Sequence, residues 1–240
     1  MFSQRKSFIF LAVAMLVAAL ALAAVASGQK RSGLQNKARV EAPINIAILV
    51  QDDLVSQVAN EIRVTADFIR SLPAGSRVMV GYLSSGSLQV RQPFTTDLNS
   101  AARSLRIPIS SSSVSPYNPY VEVIEALRRF DGNGNGKNVV LLISDGLDVS
   151  RGFDSTSAGH TLDLERAIHE ANSRNAAIYS FYAPAVGLSS HNRLAASYGQ
   201  SSLNRISDET GGRAFFQGST GFVTFDSYFK RLRQALNETF

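Results

Sequence analysis

The chain has 240 residues, of which 45% are hydrophobic and 18% are charged, and it contains no cysteine. The hydrophobic share supports a folded core and argues against a wholly disordered protein. The absence of cysteine excludes a disulfide-stapled scaffold, a thiol nucleophile and a cysteine-ligated zinc site. The formal net charge of +5 is spread along the whole chain, so it does not indicate a nucleic-acid-binding surface.

The N-terminal segment has the pattern of an export signal. Arg5 and Lys6 precede an uncharged, apolar run that ends in small residues at 24–28. This pattern is typical of a secretory signal peptide, with cleavage expected at or beside Ala26. An uncleaved inner-membrane anchor is the alternative, because the run is nearly long enough to span a bilayer. In both cases the sequence predicts an exported protein, periplasmic or extracellular, with residues 1–28 as signal or anchor and 29–41 as a polar linker.

From residue 42 onward, apolar runs of strand length alternate with amphipathic helical patterns. Residues 44–50 form a near-continuous apolar run, as expected of a strand buried on both faces. Hydrophobic residues in 55–69 recur mostly at spacings of three and four, which predicts a helix. The same reasoning predicts further strands at 78–83, 88–94, 139–143, 177–182 and 213–217, and further helices at 97–105, 121–130, 162–172, 203–210 and 225–236.

Strands separated by helices form βαβ units, so the sequence predicts an α/β fold. We expect one domain over 42–240: a Rossmann-like three-layer sandwich with a mostly parallel central sheet, one antiparallel edge strand and helices on both faces. Pro93 places the strand at 88–94 on the edge, because proline cannot donate a hydrogen bond to a neighbouring strand. In such sheets function lies beyond the carboxyl ends of the strands, so the candidate loops are 51–56, 110–120 and 144–153.

No complete catalytic set stands out in these loops. A serine hydrolase needs a histidine beside an activated serine, and no Gly-x-Ser-x-Gly elbow follows a predicted strand. The three histidines, His160, His169 and His191, lie in polar loops or on the solvent side of a helix. Acids at strand ends, Asp52, Asp53 and Asp145, leave an exported metal-assisted hydrolase as the alternative to a binding protein.

Three features together resemble a known family. The first strand ends in Asp52 and Asp53, the strand at 139–143 is followed by Ser-Asp-Gly at 144–146, and Thr-Gly-Gly-Arg at 210–213 leads into the last strand. In these features the chain resembles the von Willebrand factor type A (VWA) domain, and more narrowly the exported branch first noted in acidobacterial proteomes. The resemblance covers nearly all of 44–240 and implies a non-enzymatic module for protein binding or adhesion.

The resemblance also implies a divalent-cation site, whose pattern this chain departs from. The family typically binds the cation at an Asp-x-Ser-x-Ser motif, completed by a Thr from a second loop and an Asp from the fourth strand. These positions fall here, in order, on Gln51, Asp53, Val55, Val121 and Asp145. A register shifted by one residue offers Asp52 and Ser56, and it is incomplete as well. We therefore expect a degenerate adhesion motif in which Asp53, Asp145 and Asp52 hold Mg²⁺ weakly or not at all, and no other cofactor.

Aromatic side chains in the candidate loops favour a protein partner. Tyr117, Tyr120 and Asp148 are the residues that we expect to contact it. The expected partner is an envelope or extracellular protein, with no nucleic acid and with membrane contact only through an uncleaved N-terminal segment. A structural role within an envelope assembly is a third hypothesis, which an uncleaved anchor would favour.

Overall fold

The computed structural model describes residues 42–130, 136–153, 161–216 and 224–238. All of them belong to a unit that spans Ala38–Phe240. The predicted signal or anchor, the linker and most of the turn before the strand at 139–143 lie outside the described residues. None of the helices within the described ranges is both long and apolar enough to cross a bilayer.

In these ranges six strands form one sheet, in the order β3-β2-β1-β4-β5-β6. β3 pairs antiparallel with β2 at one edge, and the other neighbouring strands run parallel. The strands are β1 Ile44–Gln51, β2 Arg77–Ser84, β3 Ser87–Thr95, β4 Lys137–Ser144, β5 Ala176–Tyr182 and β6 Ala214–Phe215. The predicted mostly parallel sheet with one antiparallel edge strand is confirmed, and the edge strand contains Pro93.

Helices cover both faces of the sheet, which confirms the three-layer architecture. The described helices are α1 Ala59–Arg70, α2 Leu98–Ser104, α3 Pro119–Leu127, α4 Leu162–Ser173, α5 Leu188–His191, α6 Arg193–Glu209 and α7 Asp226–Glu238. One hydrophobic core lies between the sheet and α1, α2 and α7, and the other lies between the sheet and α3, α4 and α6.

β1 and β4 lie at the centre of the sheet and supply both cores. Every residue of β1 is buried, and its side chains alternate between the two cores: Ile48 belongs to the first and Leu49 to the second. Ile48 is in register with Leu141 of β4, which is fully buried in the first core. Two strands buried on both faces explain why their sequences are apolar almost throughout.

The start of α6 corrects the predicted helix at 203–210. The observed helix begins at Arg193, where the Asn192 side chain accepts hydrogen bonds from the amides of Leu194 and Ala195 at 2.9 and 3.1 Å. Its first turns bury only small residues, such as Ala195 and Gly199. A face of small residues lacks the large hydrophobic periodicity by which an amphipathic helix is recognised.

Candidate functional site

The loops after β1 and β5 are joined above the carboxyl edge of the sheet. Leu54 forms an isolated antiparallel bridge with Ala185. The amide of Val55 donates to the carbonyl of Pro184 at 3.0 Å, and the amide of Val186 donates to the carbonyl of Asp53 at 2.8 Å. These bonds enclose the end of β4, so the acids that follow β1 and β4 are buried.

Gln51, the last residue of β1, links the ends of the two central strands. Its Nε2 donates to Oδ1 of Asp53 at 2.8 Å. Its Oε1 accepts from the Ser144 hydroxyl at 2.5 Å and from the Asp145 amide at 3.2 Å. The side-chain amide of Gln51 therefore uses both of its ends, and it links the carboxylate of Asp53 to the backbone of Asp145.

Asp145 is buried and has both carboxylate oxygens bonded. Oδ2 accepts from the Ser189 hydroxyl at 2.8 Å, and Oδ1 accepts from the Leu147 amide at 3.2 Å. Burial, followed by the nearby charge of Asp53, raises the pKa of Asp145 to about 6. Ser189 was not predicted, because a serine in the short helix α5 has no sequence signal that distinguishes it from a surface serine.

Asp53 is equally buried, and its environment opposes ionisation. Burial raises the pKa of Asp53, and the charge of Asp52 adds to the rise. Hydrogen bonds from Gln51 and Ser115 act in the opposite direction without outweighing burial. The hydrogen-bond donors that hold the Asp53 carboxyl group, Gln51 and Ser115, are both neutral.

Asp52 belongs to a separate ion pair. Its two carboxylate oxygens accept from Nη1 and Nη2 of Arg106, each at 2.7 Å, and Oδ1 also accepts from the Ile109 amide at 3.0 Å. Burial alone would raise the pKa of Asp52, but the Arg106 and Ile109 hydrogen bonds and the Arg106 charge lower it overall. The Arg106 guanidinium also stacks on the Tyr82 ring, with 4.0 Å between Cζ and the ring centroid. The structure thus places Asp52 in a bidentate pair and not with the other two acids.

These side chains do not fit the cation site that the resemblance implies. Gln51 and Val55 stand at two ligand positions, and the third, Val121, is an apolar side chain that is 45% exposed. Mg²⁺ requires octahedral coordination by oxygen atoms. The carboxylate oxygens that Asp53 and Asp145 could offer already accept hydrogen bonds from the Gln51 amide, the Ser189 hydroxyl and the Leu147 backbone N–H. Across the described ranges, no three or more His, Asp or Glu side chains are grouped so that they could hold a metal ion.

The exposed large hydrophobic side chains of the described residues all lie at this same edge of the sheet. Some follow β6 or lie in the segment before α3, and the others begin helices whose N-termini face the carboxyl ends of the strands. They are Ile107, Ile109, Tyr117, Val121, Leu162, Leu188, Leu194 and Phe216, each 38–58% exposed. We call these eight side chains the apolar rim.

The segment at 106–110 carries two members of the rim and is fixed by Asp52. Ile107 and Ile109 are 58% and 54% exposed, while Pro108 between them is buried. The Ser110 amide donates to the Asp52 carbonyl at 3.0 Å, in addition to the bonds from Arg106 and Ile109 to the carboxylate. No sequence signal marks this segment as exposed, because an Ile-Pro-Ile run is as common in a buried loop as on a surface.

The three residues predicted to contact a partner are placed differently from one another. Tyr117 is 56% exposed, and its carbonyl accepts from the Val149 amide at 2.7 Å, which joins two of the candidate loops. Tyr120 is only 1% exposed, and its hydroxyl donates to the Gly146 carbonyl at 2.7 Å. This burial corrects the predicted surface, because the ring of Tyr120 packs beneath the rim. Asp148 is half-buried and accepts from the hydroxyl and amide of Ser150 at 2.6 and 3.0 Å.

Glu122 of α3 is a buried acid that no pattern in the sequence marks. Ile124 of the same helix is partly buried and packs against the second core, as predicted, and Glu122 is fully buried. Both carboxyl oxygens lack a hydrogen-bond partner. Burial, followed by the charges of Glu125 and Asp53, raises the pKa of Glu122 to about 8. Burial therefore favours the neutral form of this carboxyl group.

Comparisons with known proteins identify the fold. A scan against protein-family models and a search of curated proteins find no match. An aerotolerance-related membrane protein from Bacteroides fragilis superposes with a TM-score of 0.55 at 14% identity, covering 81% of this chain and 99% of that one. BatB from Bacteroides thetaiotaomicron superposes with a TM-score of 0.54 at 14% identity, covering 83% and 98%. The VWA domain of SpRpn10 gives 0.50 at 13% identity, covering 82% and 94%. The chain therefore has the fold of VWA domains, and at these identities the likeness shows the fold alone.

Proposed function

We propose that this domain is an exported, non-enzymatic binding module that recognises a protein of the cell envelope through the apolar rim. The VWA fold fits a protein-interaction domain. The occurrence of the same fold in the aerotolerance-related membrane protein of Bacteroides fragilis supports an envelope setting. The apolar rim is the observation that carries the proposal.

Exposed hydrophobic side chains gathered at one edge favour association with another surface. Fully burying a side chain such as Leu, Ile or Val stabilises a complex by about 1.5–3 kcal/mol before the entropy of association is subtracted. Aromatic residues are also enriched at the centres of protein interfaces, and Tyr117 is 56% exposed at the rim. A rim of this kind therefore suits a partner with an apolar surface.

The ion pair beneath the rim supports the same proposal. Arg106 is held by Asp52 on one side and by the Tyr82 ring on the other. Ile107 and Ile109 are thereby presented on a segment whose backbone is already ordered. A segment that is ordered before binding loses less conformational entropy when the complex forms.

The acids at the edge do not form a catalytic set among the described residues. Asp145 is engaged by Ser189 and Leu147, and Asp53 is engaged by Gln51. A hydrolase would need a nucleophile and a base within hydrogen-bonding reach, with a third group to orient the base. The arrangement therefore favours a binding protein over the metal-assisted hydrolase.

Affinity capture from a solubilised envelope fraction tests the proposal. We expect the wild-type protein to retain a defined set of proteins, and the double variant Ile107→Ser/Ile109→Ser to retain them at least about tenfold less, as expected for central interface residues. Tyr117→Asn should weaken capture similarly, and Asn tolerates the left-handed backbone at this position, where φ is 58°. Arg128→Ala, on the exposed C-terminal end of α3 away from the rim, is the control. Equal capture by rim variants that keep a native circular dichroism spectrum would contradict the proposal.

A further inference from the structure

We infer that the side-chain amide of Gln51 is an internal substitute for a divalent cation, holding the ends of β1 and β4 together so that the edge below the rim needs no metal. Only the statement that this edge binds a protein rests on the proposed function; the role of Gln51 does not. The arrangement of donors and acceptors around Gln51 carries it.

The surroundings of Gln51 match an amide and not a positive ion. Asp53 offers an acceptor to Nε2, whereas Ser144 and Asp145 offer an O–H and a backbone N–H to Oε1. A cation at this place would be repelled by the N–H of Asp145, since that group presents its positive end. A neutral amide satisfies all three neighbours and places no charge in a buried site, where an unpaired charge is costly.

The carboxylate oxygens of Asp145 and Asp52 are also engaged. Both oxygens of Asp145 accept hydrogen bonds, from Ser189 and from Leu147. Both oxygens of Asp52 accept from Arg106. A cation entering this edge would have to break several of these bonds, so little free energy remains to favour its binding.

A glutamate at position 51 would make this edge favour a cation, because it replaces the neutral amide by a second carboxylate. One of its oxygens could still accept from Ser144 and Asp145. The other would face Oδ1 of Asp53 from the place of Nε2, which lies 2.8 Å from that oxygen. Two buried carboxyl groups at this separation share a proton at low pH, and both can be ionised only when a cation lies between them. At a pH above the pKa of this pair, Gln51→Glu should therefore create a dependence on divalent cations that we do not expect of the wild type.

The test measures urea unfolding of the full chain in EDTA and in millimolar Mg²⁺ or Mn²⁺, with calorimetric titration of each metal alone. The exposed Gln57 lies in the same loop, so Gln57→Glu is the control with the same change of charge. We expect no response to cations in the wild type or in Gln57→Glu, and no binding tighter than about the millimolar range. Gln51→Glu should unfold at lower urea in EDTA, recover in Mn²⁺ or Mg²⁺, and bind the metal at least about tenfold more tightly than the wild type.

Two results would overturn the inference. One is a stoichiometric, micromolar Mg²⁺ or Mn²⁺ isotherm for the wild type, and the other is a Gln51→Glu variant that ignores cations. If Gln51→Glu does not fold, Gln51→Met provides the second measurement: equal destabilisation in EDTA and in Mg²⁺ supports the role of the amide, and unchanged stability refutes it. Because no partner is present in these measurements, failed capture through the rim would contradict the proposed function alone.

Discussion

A Cβ atom built on Gly199 would lie 1.9 Å from the carbonyl oxygen of Asp145. The contact is reciprocal, because a Cβ on Gly146 would lie 2.5 Å from the Gly199 carbonyl oxygen. Gly146 also has a φ of 72°, a conformation that side chains other than glycine rarely adopt. Two glycines thus allow α6 to pack backbone against backbone on the segment that carries Asp145.

We expect Gly199→Ala to destabilise the domain by about 2 kcal/mol or more, because an overlap with backbone atoms can be relieved only by moving α6 or the end of β4. The measurement is the free energy of unfolding in urea. Ser197→Ala, at an exposed position of the same helix, is the control and should change stability by no more than about 0.5 kcal/mol. Equal midpoints for Gly199→Ala and the wild type would show that the helix packs less closely than the structure indicates.

Substitution of Leu141 tests how much the central strands contribute to the stability of the domain. Its side chain is fully buried in β4, so Leu141→Ala should cost about 2–5 kcal/mol through lost transfer free energy and the cavity left behind. Leu194→Ala removes the same atoms from a side chain that is 49% exposed, and it should cost much less. A urea midpoint for Leu141→Ala that matches Leu194→Ala would show that β4 is not central to stability.

We expect the buried Glu122 carboxyl group to make the free energy of unfolding depend on pH. Its pKa rises from 4.5 to about 8 in the folded state, so the unfolded chain releases this proton first and stability falls as the pH rises from 4.5 towards 8. At about 1.4 kcal/mol per pKa unit, this amounts to a few kcal/mol. Glu122→Gln should flatten the fall of stability between about pH 6 and pH 8, so that the variant is more stable than the wild type near pH 8 and similar to it at the acid end. The raised pKa of Asp145, about 6, leaves a slope at lower pH in both proteins.

The control for this prediction is Glu165→Gln, on the exposed surface of α4. It should leave the pH dependence of the urea midpoint as it is in the wild type. A Glu122→Gln midpoint that falls between about pH 6 and pH 8 as steeply as that of the wild type would contradict the assignment of the slope to this group.

Arg106 connects the stability of the domain with the order of the rim. Arg106→Ala should destabilise the fold by about 1–3 kcal/mol, because it leaves the buried Asp52 carboxylate without its bidentate partner. Arg106→Lys should recover only part of the loss, since an ammonium cannot form the paired bonds or stack on Tyr82 in the same way. Limited proteolysis should then cut near Ile107 faster than in Arg103→Ala, which changes an exposed arginine of α2. Unchanged cleavage in Arg106→Ala would show that the ion pair does not order this segment.

Export is tested by fractionation and N-terminal sequencing. The pattern of basic, apolar and small residues predicts a mature protein that begins between Ser27 and Gln29. A full-length product in the membrane fraction would support the uncleaved anchor. A full-length product in the cytosol would contradict export altogether.

The fold could be predicted from sequence because it depends on short-range patterns. Continuous apolar runs mark β1 and β4 because both of their faces are buried, and Pro93 marks β3 because an edge strand tolerates a missing donor. Gly211, with a φ of 77°, ends α6 where the sequence predicted a helix end. The early start of α6 was not predicted, because its first turns pack through alanine and glycine. Such small residues give no hydrophobic periodicity, and their burial depends on how close the neighbouring backbone lies.

The site depended on tertiary structure, since its chemistry lies in pairings between distant segments. The sequence by itself determined that acids follow β1 and β4 and that several family ligand positions carry other residues. Only the folded chain decided that Gln51 bonds to Ser144 and Asp145, 93 and 94 residues away, and that Asp52 pairs with Arg106. Hydrogen bonds and ion pairs are selected by distances of a few ångströms, and such distances between remote residues arise only when the sheet has brought their strands together.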